Sequence, residues 1–232
     1  MAFYNSGNRI QRDTPIVFNL LIINALVFAA QNFITNVDVT NWGSLHYYKS
    51  TDFKPHQLIT SVFLHGDIGH IIFNMFALYM FGSILERVWG SKRFLIFYLV
   101  CGIGASIFTQ FTTPFSAEQF AKSSEAAQFG GYSIDLVNAY KEQYAALGAS
   151  GAIMGVMAAF AWLFPNTELY VMFIPIPVKA KYVIPVFVLI DLFGGIYKIK
   201  GDNIGHFAHL GGAIIGFLLV LFWNKTNKKT FY

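Results

Sequence analysis

The chain has 232 residues, of which 55% are hydrophobic and only 12% are charged, and its mean hydropathy is +0.50. Soluble domains carry roughly 25% charged residues, so this composition excludes a soluble globular protein and indicates a single membrane domain. The 25 Phe, 12 Tyr and 4 Trp residues suit a lipid-facing surface with aromatic belts. The net charge of +4 comes from scattered basic residues, so nucleic acid is not an expected partner.

Apolar segments predict an all-α membrane protein built as a bundle of six transmembrane helices. Each segment is close to the roughly 17–25 residues that cross a bilayer as a helix, and the fifth is interrupted by Asp191. Residues 1–13 and 225–232 flank the predicted domain, 14–224. The helices are expected at about 14–34, 68–87, 93–113, 146–164, 181–197 and 203–223.

Charge asymmetry predicts which side of the membrane each end of the bundle faces. Six spans place both termini on one side, and that side holds ten of the 16 basic residues. By the positive-inside rule this side is cytoplasmic. The outer segments, about 38–67 and 118–142, are too long for simple connectors, so we expect them to pack on the outer face. The basic residues on the cytoplasmic side are Arg9, Arg12, Arg87, Lys92, Arg93, Lys179, Lys181, Lys225, Lys228 and Lys229.

Four polar side chains from three inward-running helices fall at one depth near the outer face. At 1.5 Å per residue, Ser150 lies about 6–8 Å below the boundary and His209 about 10 Å. His70 and Asn74 lie roughly 5–10 Å below it. Polar side chains inside a membrane are costly and usually mark a functional site.

This cluster has the residue types that nucleophilic catalysis needs. A serine hydroxyl needs a base within about 2.6–3.2 Å to take its proton, which makes Ser150 and His209 a candidate pair. His70 and Asn74 share one helix face and can donate to a developing oxyanion, as can the backbone N–H of Ser150. No acidic residue is expected at this depth, which favours a dyad over a triad, and Asp191 is assigned a structural hydrogen bond.

Glycines in the fourth and sixth helices indicate where these helices approach. Gly151 and Gly155 form one Gly-x-x-x-Gly pattern, and Gly212 and Gly216 form another. Small residues at this spacing let helix backbones come close together in a membrane.

Three motifs, in order along the chain, identify a family. They are His-x-x-x-Asn at 70–74, Gly-x-Ser-Gly at 148–151 and Ala-His-x-x-Gly at 208–212. With these motifs the chain resembles the rhomboid intramembrane serine proteases over about residues 15–223. The resemblance also covers His65, ahead of the second helix.

The resemblance implies an intramembrane serine endopeptidase that acts through an acyl-enzyme intermediate. Ser150 would be the nucleophile and His209 the general base and acid, while His70, Asn74 and the Ser150 backbone would form the oxyanion hole. Gly148 and Gly151 belong to the serine motif. Substrates would be transmembrane segments of membrane proteins, cleaved near their outer ends after entering past helix five, and no metal or other cofactor would be required.

One feature of the motif region departs from the family. Its members often carry an aromatic residue four positions after the serine, stacked on the histidine, and here that position is Met154. A contact between the Met154 sulfur and the imidazole face would be one substitute. A hydrogen bond from His206, one turn before His209, would be another.

The sequence is also compatible with two other hypotheses about function. The first is a metal site formed by His65, His70, His206 and His209, although the chain has no His-Glu-x-x-His signature. The second is a catalytically silent rhomboid-like protein, or a transporter, that binds helices or ions without cleavage. We expect a multi-pass protein of the bacterial cytoplasmic membrane, with the active site opening to the outer face.

Overall fold

The computed structural model describes residues 13–170, 176–197 and 205–226. Two short antiparallel ladders join β1 (Leu45–His46) to β2 (Ala145–Ala146) and β3 (Glu168–Leu169) to β4 (Val178–Lys179). Short 3₁₀ turns occupy Ser61–Phe63 and Ser124–Phe129. The α-helices of the described residues are α1 (Pro15–Phe33), α2 (Val39–Gly43), α3 (Gln57–Thr60), α4 (Ile68–Trp89), α5 (Ser91–Lys122), α6 (Ile134–Gln143), α7 (Ser150–Leu163), α8 (Ala180–Ile196) and α9 (His206–Thr226).

Four helices in the described part of the chain are long and apolar enough to cross a membrane: α1, α4, α5 and residues His206–Asn224 of α9. The chain is therefore a mostly helical membrane protein. Helices α7 and α8 have 14 and 17 residues, fewer than the roughly 20 that span a hydrocarbon core. The six-span topology and the side on which the termini lie stay predictions.

Several helices begin or end away from the predicted residues. Helix α5 continues to Lys122 rather than ending near 113, because Pro114 is accommodated within it. Helix α7 begins at Ser150 rather than 146, because residues 145–146 pair with β1. Helix α9 runs to Thr226, so the predicted tail, 225–232, begins inside the helix.

The second outer segment is structured. Past Pro114, α5 packs against α6 through a small apolar cluster of Ala117, Ala121 and Val137. At 32 residues α5 is about 48 Å long, which exceeds the roughly 30 Å hydrocarbon core. The helix is therefore longer than a perpendicular span needs, and its last turns carry α6.

Hydrogen bonds tie the two outer segments together. The Glu142 carboxylate accepts from the backbone N–H of Thr51 at 2.9 Å and from the Thr51 hydroxyl at 2.7 Å. These bonds are the main cause of the lowered pKa of Glu142. On α5, Gln110 accepts from the Tyr48 N–H at 2.8 Å and donates to the His46 carbonyl at 2.9 Å. Residues 46–51, Gln110 of α5 and Glu142 of α6 are therefore connected at one end of the bundle.

Helix α7 is the centre of the bundle, with nine of its 14 residues buried. Its glycines meet those of α9. A Cβ on Gly216 would lie 2.5 Å from the Gly155 Cα, and a Cβ on Gly212 would overlap the carbonyl oxygen of Gly151. The two Gly-x-x-x-Gly patterns therefore face each other and allow the backbones of α7 and α9 to touch.

At the opposite end, a buried carboxylate holds the start of α1. Glu86 of α4 accepts from the backbone N–H groups of Ile16 at 2.9 Å and Val17 at 2.8 Å, and from the Ser91 hydroxyl at 2.7 Å. The first N–H groups of a helix have no partner within the helix, and a negative charge there is favourable. Glu86 thus caps α1 and joins it to α4 and α5.

Candidate active site

The Ser150 hydroxyl and the His209 imidazole meet where α7 and α9 begin. Ser150 is the first residue of α7, and His209 is the fourth residue of α9. The Ser150 Oγ lies 2.8 Å from the His209 Nε2. This is within the range in which an imidazole can accept the proton of a serine hydroxyl.

The turn ahead of Ser150 depends on glycine. Gly148 has φ +135°, and a Cβ there would lie 2.9 Å from the His70 ring. The Gly148 N–H donates to the Ser61 carbonyl at 2.9 Å, which fixes the turn against the 3₁₀ segment. Glycine tolerates positive φ without a steric penalty, so this residue lets the chain turn sharply into α7 and leaves the His70 ring beside Ser150.

His70 presents its Nε2 to the same space. Its Nδ1 accepts the Gly66 backbone N–H at 3.4 Å, so in the neutral ring the proton resides on Nε2. That Nε2 faces Gly148, where an added Cβ would also lie 3.5 Å from the Ser150 Oγ. The His70 Nε2–H donor and the Ser150 hydroxyl therefore both lie next to Gly148.

Asn74 lies one turn further along α4 and is buried. Its Nδ2 has no hydrogen-bond partner among the described residues. A buried amide donor without a partner carries a desolvation penalty of about 1–3 kcal/mol, which a negatively charged guest in the cavity would relieve. Asn74 is thus a second donor available to the site.

The loop that holds His65 is anchored by α1. The Gln31 side chain accepts from the His65 N–H at 3.0 Å and donates to the His65 carbonyl at 3.1 Å. The His65 ring packs edge-on against His70 at 5.1 Å. Burial lowers the pKa of His65 to about 4, and the nearby His70 acts in the same direction. His65 is therefore a neutral support behind His70.

A cavity of about 710 Å³ opens above these groups and is lined by Ser150, His209, His70 and Asn74. Its remaining walls are largely apolar, with Val62 and Leu147 among them. Ser150, His209, His70 and Asn74 thus share one recess that is large enough for a few residues of a peptide chain.

The structure corrects the expectation that no acid lies at this depth. Asp191 of α8 is buried, and its Oδ1 lies 3.0 Å from the Nδ1 of His209. The residue numbers contain the signal: Asp191 is five residues before the end of α8, about 7.5 Å at 1.5 Å per residue. His209 is three residues into α9, about 4.5 Å. Measuring both from the loop that joins α8 and α9 would have placed the two residues at similar depths.

The structure also shows where the two candidates for orienting His209 lie. Met154 is buried in the apolar core with residues such as Val156 and Ile153, and it is not among the side chains that line the cavity. His206 contacts Asp191, with its Nδ1 2.8 Å from the same Oδ1. The two histidines are therefore linked through the carboxylate.

The geometry differs from that expected of a histidine metal site. The Nδ1 atoms of His206 and His209 both point at a carboxylate oxygen, not at a common vacant position. In the part of the chain that the structure describes, no group of three or more His, Cys, Asp or Glu side chains is arranged to hold a metal ion.

The chain is similar in sequence to several known proteins whose names contain the word rhomboid. It is 33% identical over 94% of its length to RHOMBOID-like protein 12, a mitochondrial protein of Arabidopsis thaliana, of which it covers 60%. It is 27% identical over 74% of its length to mitochondrial Rhomboid protein 1 of Saccharomyces cerevisiae, covering 43% of that protein. It is 31% identical over 69% of its length to Rhomboid protease GluP of Bacillus subtilis, covering 24% of that protein.

These relatives bear on the expected location. The plant and yeast proteins are mitochondrial, so the comparisons do not support the bacterial cytoplasmic membrane over another membrane. The chain spans about half the length of the curated relatives it matches, from 24% to 60% for these three. The sequence model of the Rhomboid domain matches residues 52–225, three quarters of the chain, and the chain therefore belongs to the rhomboid family.

Proposed function

We propose that this chain is an intramembrane serine endopeptidase that hydrolyses peptide bonds in or near the transmembrane segments of membrane proteins. The observation that carries the proposal is the 2.8 Å approach of the Ser150 Oγ to the His209 Nε2. Family membership alone would not support a proteolytic activity, because only one of the relatives described above is named a protease.

In the first step, the Ser150 oxygen attacks the carbonyl carbon of the scissile bond while its proton passes to the His209 Nε2. A serine alcohol is a weak nucleophile without such a base. The carbonyl π electrons move to the oxygen, which becomes a tetrahedral oxyanion. The 2.8 Å hydrogen bond already defines the path of the proton.

The oxyanion would be stabilised by donors that the cavity presents. These are the Nε2–H of His70, the Nδ2 of Asn74 and the backbone N–H of Ser150. The last belongs to the first residue of α7, and such N–H groups are not used within the helix. Each donor of this kind lowers the activation free energy by roughly 3–4 kcal/mol.

Collapse of the intermediate breaks the C–N bond, and the His209 imidazolium gives its proton to the leaving amine. The remaining acyl group is esterified to the Ser150 Oγ. A water molecule then attacks the ester carbonyl while His209 takes its proton, and the carboxylic product leaves as Ser150 is reprotonated. No metal or other cofactor enters either half of the cycle.

The position of the recess indicates how substrates would reach the site. The recess is lined by residues of α5 and of α4, α7 and α9. The last three helices begin on the same side of the bundle, and we propose that this is the outer end. A membrane-protein substrate would reach it from the lipid bilayer past α8 and would be cut near the outer end of its transmembrane segment. The chain would act as a multi-pass protein of either a bacterial or a mitochondrial membrane.

The test is cleavage of a single-span membrane protein by the purified chain in liposomes, read by mass spectrometry of the products. We expect cleavage by the parent and by Ser124→Ala, which alters an exposed serine that does not line the cavity. We expect none by Ser150→Ala. Undiminished cleavage by Ser150→Ala would refute the serine mechanism, and loss of parental cleavage in a chelator would favour a metal mechanism instead.

A further inference from the structure

We infer that Asp191 is a positioning residue that fixes the tautomer and the orientation of His209, so that the site works as a unit of Ser150, His209 and Asp191. This inference rests on the proposed function. It answers the question that Met154 leaves open, namely which group holds the imidazole in place.

The two ring nitrogens of His209 have different partners. Its Nδ1 lies 3.0 Å from the Asp191 Oδ1, and its Nε2 lies 2.8 Å from the Ser150 Oγ. A carboxylate can only accept hydrogen bonds, so the Nδ1 carries the proton. In a neutral ring the Nε2 is then the acceptor, which is the state that a general base for Ser150 requires.

His206 supports the same arrangement from the other side of the carboxylate. Its Nδ1 lies 2.8 Å from the Oδ1 that His209 contacts. One carboxylate oxygen thus accepts from two imidazoles, both on α9 and three residues apart. With Asp191 buried, these two bonds compensate the desolvation of the charge and restrict the rotation of its carboxylate.

Close packing of α8 on α9 holds the acid at this distance. A Cβ on Gly194 would lie 2.5 Å from the His206 ring, and one on Gly195 would lie 3.0 Å from the Phe207 ring. Both glycines follow Asp191 by one turn. The absence of side chains there lets α8 approach α9 closely enough for the carboxylate to reach His209.

The position of α8 affects the orientation of His209. Serine, histidine and acid come from three different helices, α7, α9 and α8. Displacement of α8 away from α9 would break the bond to the Nδ1 while leaving the Ser150 and His209 backbones in place. The orientation of the general base therefore depends on the position of α8.

The decisive variant is Asp191→Asn, which keeps the shape of the side chain. An amide that turns its NH₂ toward His209 donates to the Nδ1 and drives the proton to the Nε2, which can then no longer accept from Ser150. In a soluble serine protease, the same change at the corresponding acid lowers kcat about 10⁴-fold with the geometry intact. We expect kcat to fall at least 100-fold here with KM little changed.

Two readouts separate positioning from mere folding. First, ¹⁵N NMR of the histidine rings should report the Nδ1–H tautomer of His209 in the parent and the Nε2–H tautomer in Asp191→Asn. Second, Asp191→Glu should recover more activity than Asp191→Asn, because a carboxylate is restored. Asp52→Asn, at an exposed aspartate, serves as the matched control and should retain parental kcat.

A further variant tests the position of α8 without altering the acid. Gly194→Ala adds a methyl group against the His206 ring, so we expect a loss of kcat with Ser150, His209 and Asp191 all present. Parental kcat and an unchanged tautomer in Asp191→Asn would overturn the inference, even with Ser150→Ala inactive. Activity in Ser150→Ala would instead refute the proposed function itself.

Discussion

Gly212 of α9 lies directly against the carbonyl oxygen of Gly151 on α7, so that a Cβ at position 212 would overlap that oxygen. Gly151 follows Ser150, and Gly212 is three residues after His209. The contact that brings the two helices together is therefore one residue from Ser150 and less than one turn from His209.

Gly212→Ala should separate α7 from α9 and disrupt the pairing of Ser150 with His209. Overpacking of a tight contact costs about 1–3 kcal/mol, so we expect a loss of unfolding free energy in that range and a drop in activity of at least tenfold. Gly205→Ala is the matched control, since its Cβ would meet only the Ala208 Cβ at 3.7 Å. Equal effects of the two substitutions would show that the α7–α9 contact does not set the geometry of the site.

How much of this site the sequence predicts can be seen from single residues. The apolar segments and the three motifs lead to Ser150, His209, His70 and Asn74, because chemistry fixes their residue types and their spacing. Asp191 is missed, because its partner lies on another helix that runs in the opposite direction. A distance between helices depends on packing, which a motif does not encode.

The end of α5 shows the same limit in the fold. The predicted helix ends near 113, and the next residue, Pro114, lacks an N–H of the kind that a helix interior needs. The helix continues because Ala117 and Ala121 bury themselves against Val137 of α6. This tertiary contact outweighs the local preference, and only the folded chain reveals it.

The cap on α1 predicts a measurable contribution to stability. Glu86→Gln removes one of the two acceptors that serve Ile16 and Val17, together with the charge that favours a helix N-terminus. Hydrogen bonds to charged groups contribute about 1.5–3 kcal/mol, so we expect a loss of about 2 kcal/mol in detergent unfolding and faster amide exchange at Ile16 and Val17.

Glu118→Gln provides the comparison for Glu86. Glu118 pairs with Lys122 on the outer part of α5 at 3.3 Å, and the Lys122 side chain is 60% exposed. Exposed ion pairs are worth about 0–1 kcal/mol. A larger loss for Glu118→Gln than for Glu86→Gln would contradict the capping role of Glu86.

His65 predicts a pH dependence of stability. Its folded pKa of about 4 lies below the ordinary value of 6.5. As the pH falls, His65 therefore binds its proton at a higher pH in the unfolded chain than in the folded chain. The contribution of neutral His65 to the free energy of unfolding is therefore fully present above pH 6.5. It is lost as the pH falls toward about 4, by at most about 3 kcal/mol. Unfolding measured at several pH values in detergent should show this slope.

His65→Gln should flatten that slope, because the replacement does not titrate. His56→Gln should leave it unchanged, since His56 stacks on Trp42 in the first outer segment and its removal does not alter His65. A slope that survives in His65→Gln would assign the pH dependence to another group.

Asn74→Ala tests the oxyanion donors. Removal of one such donor typically lowers kcat by about 10²–10³-fold, and because the interaction forms only in the transition state we expect KM to stay near the parental value. Asn32→Ala is the control, since the Asn32 amide is exposed and donates to the Phe28 carbonyl of its own helix. A rise in KM with kcat preserved would mean that Asn74 binds substrate instead.

If His209 activates Ser150 as a nucleophile, Ser150 should react covalently with a reagent for activated serines. The purified chain would be treated with a fluorophosphonate, which reacts with activated serines, and the modified peptide identified by mass spectrometry. We expect one adduct, on Ser150, whose formation slows at least 100-fold in His209→Ala. No adduct on Ser150 in the parent, or an equal labelling rate in His209→Ala, would contradict this activation.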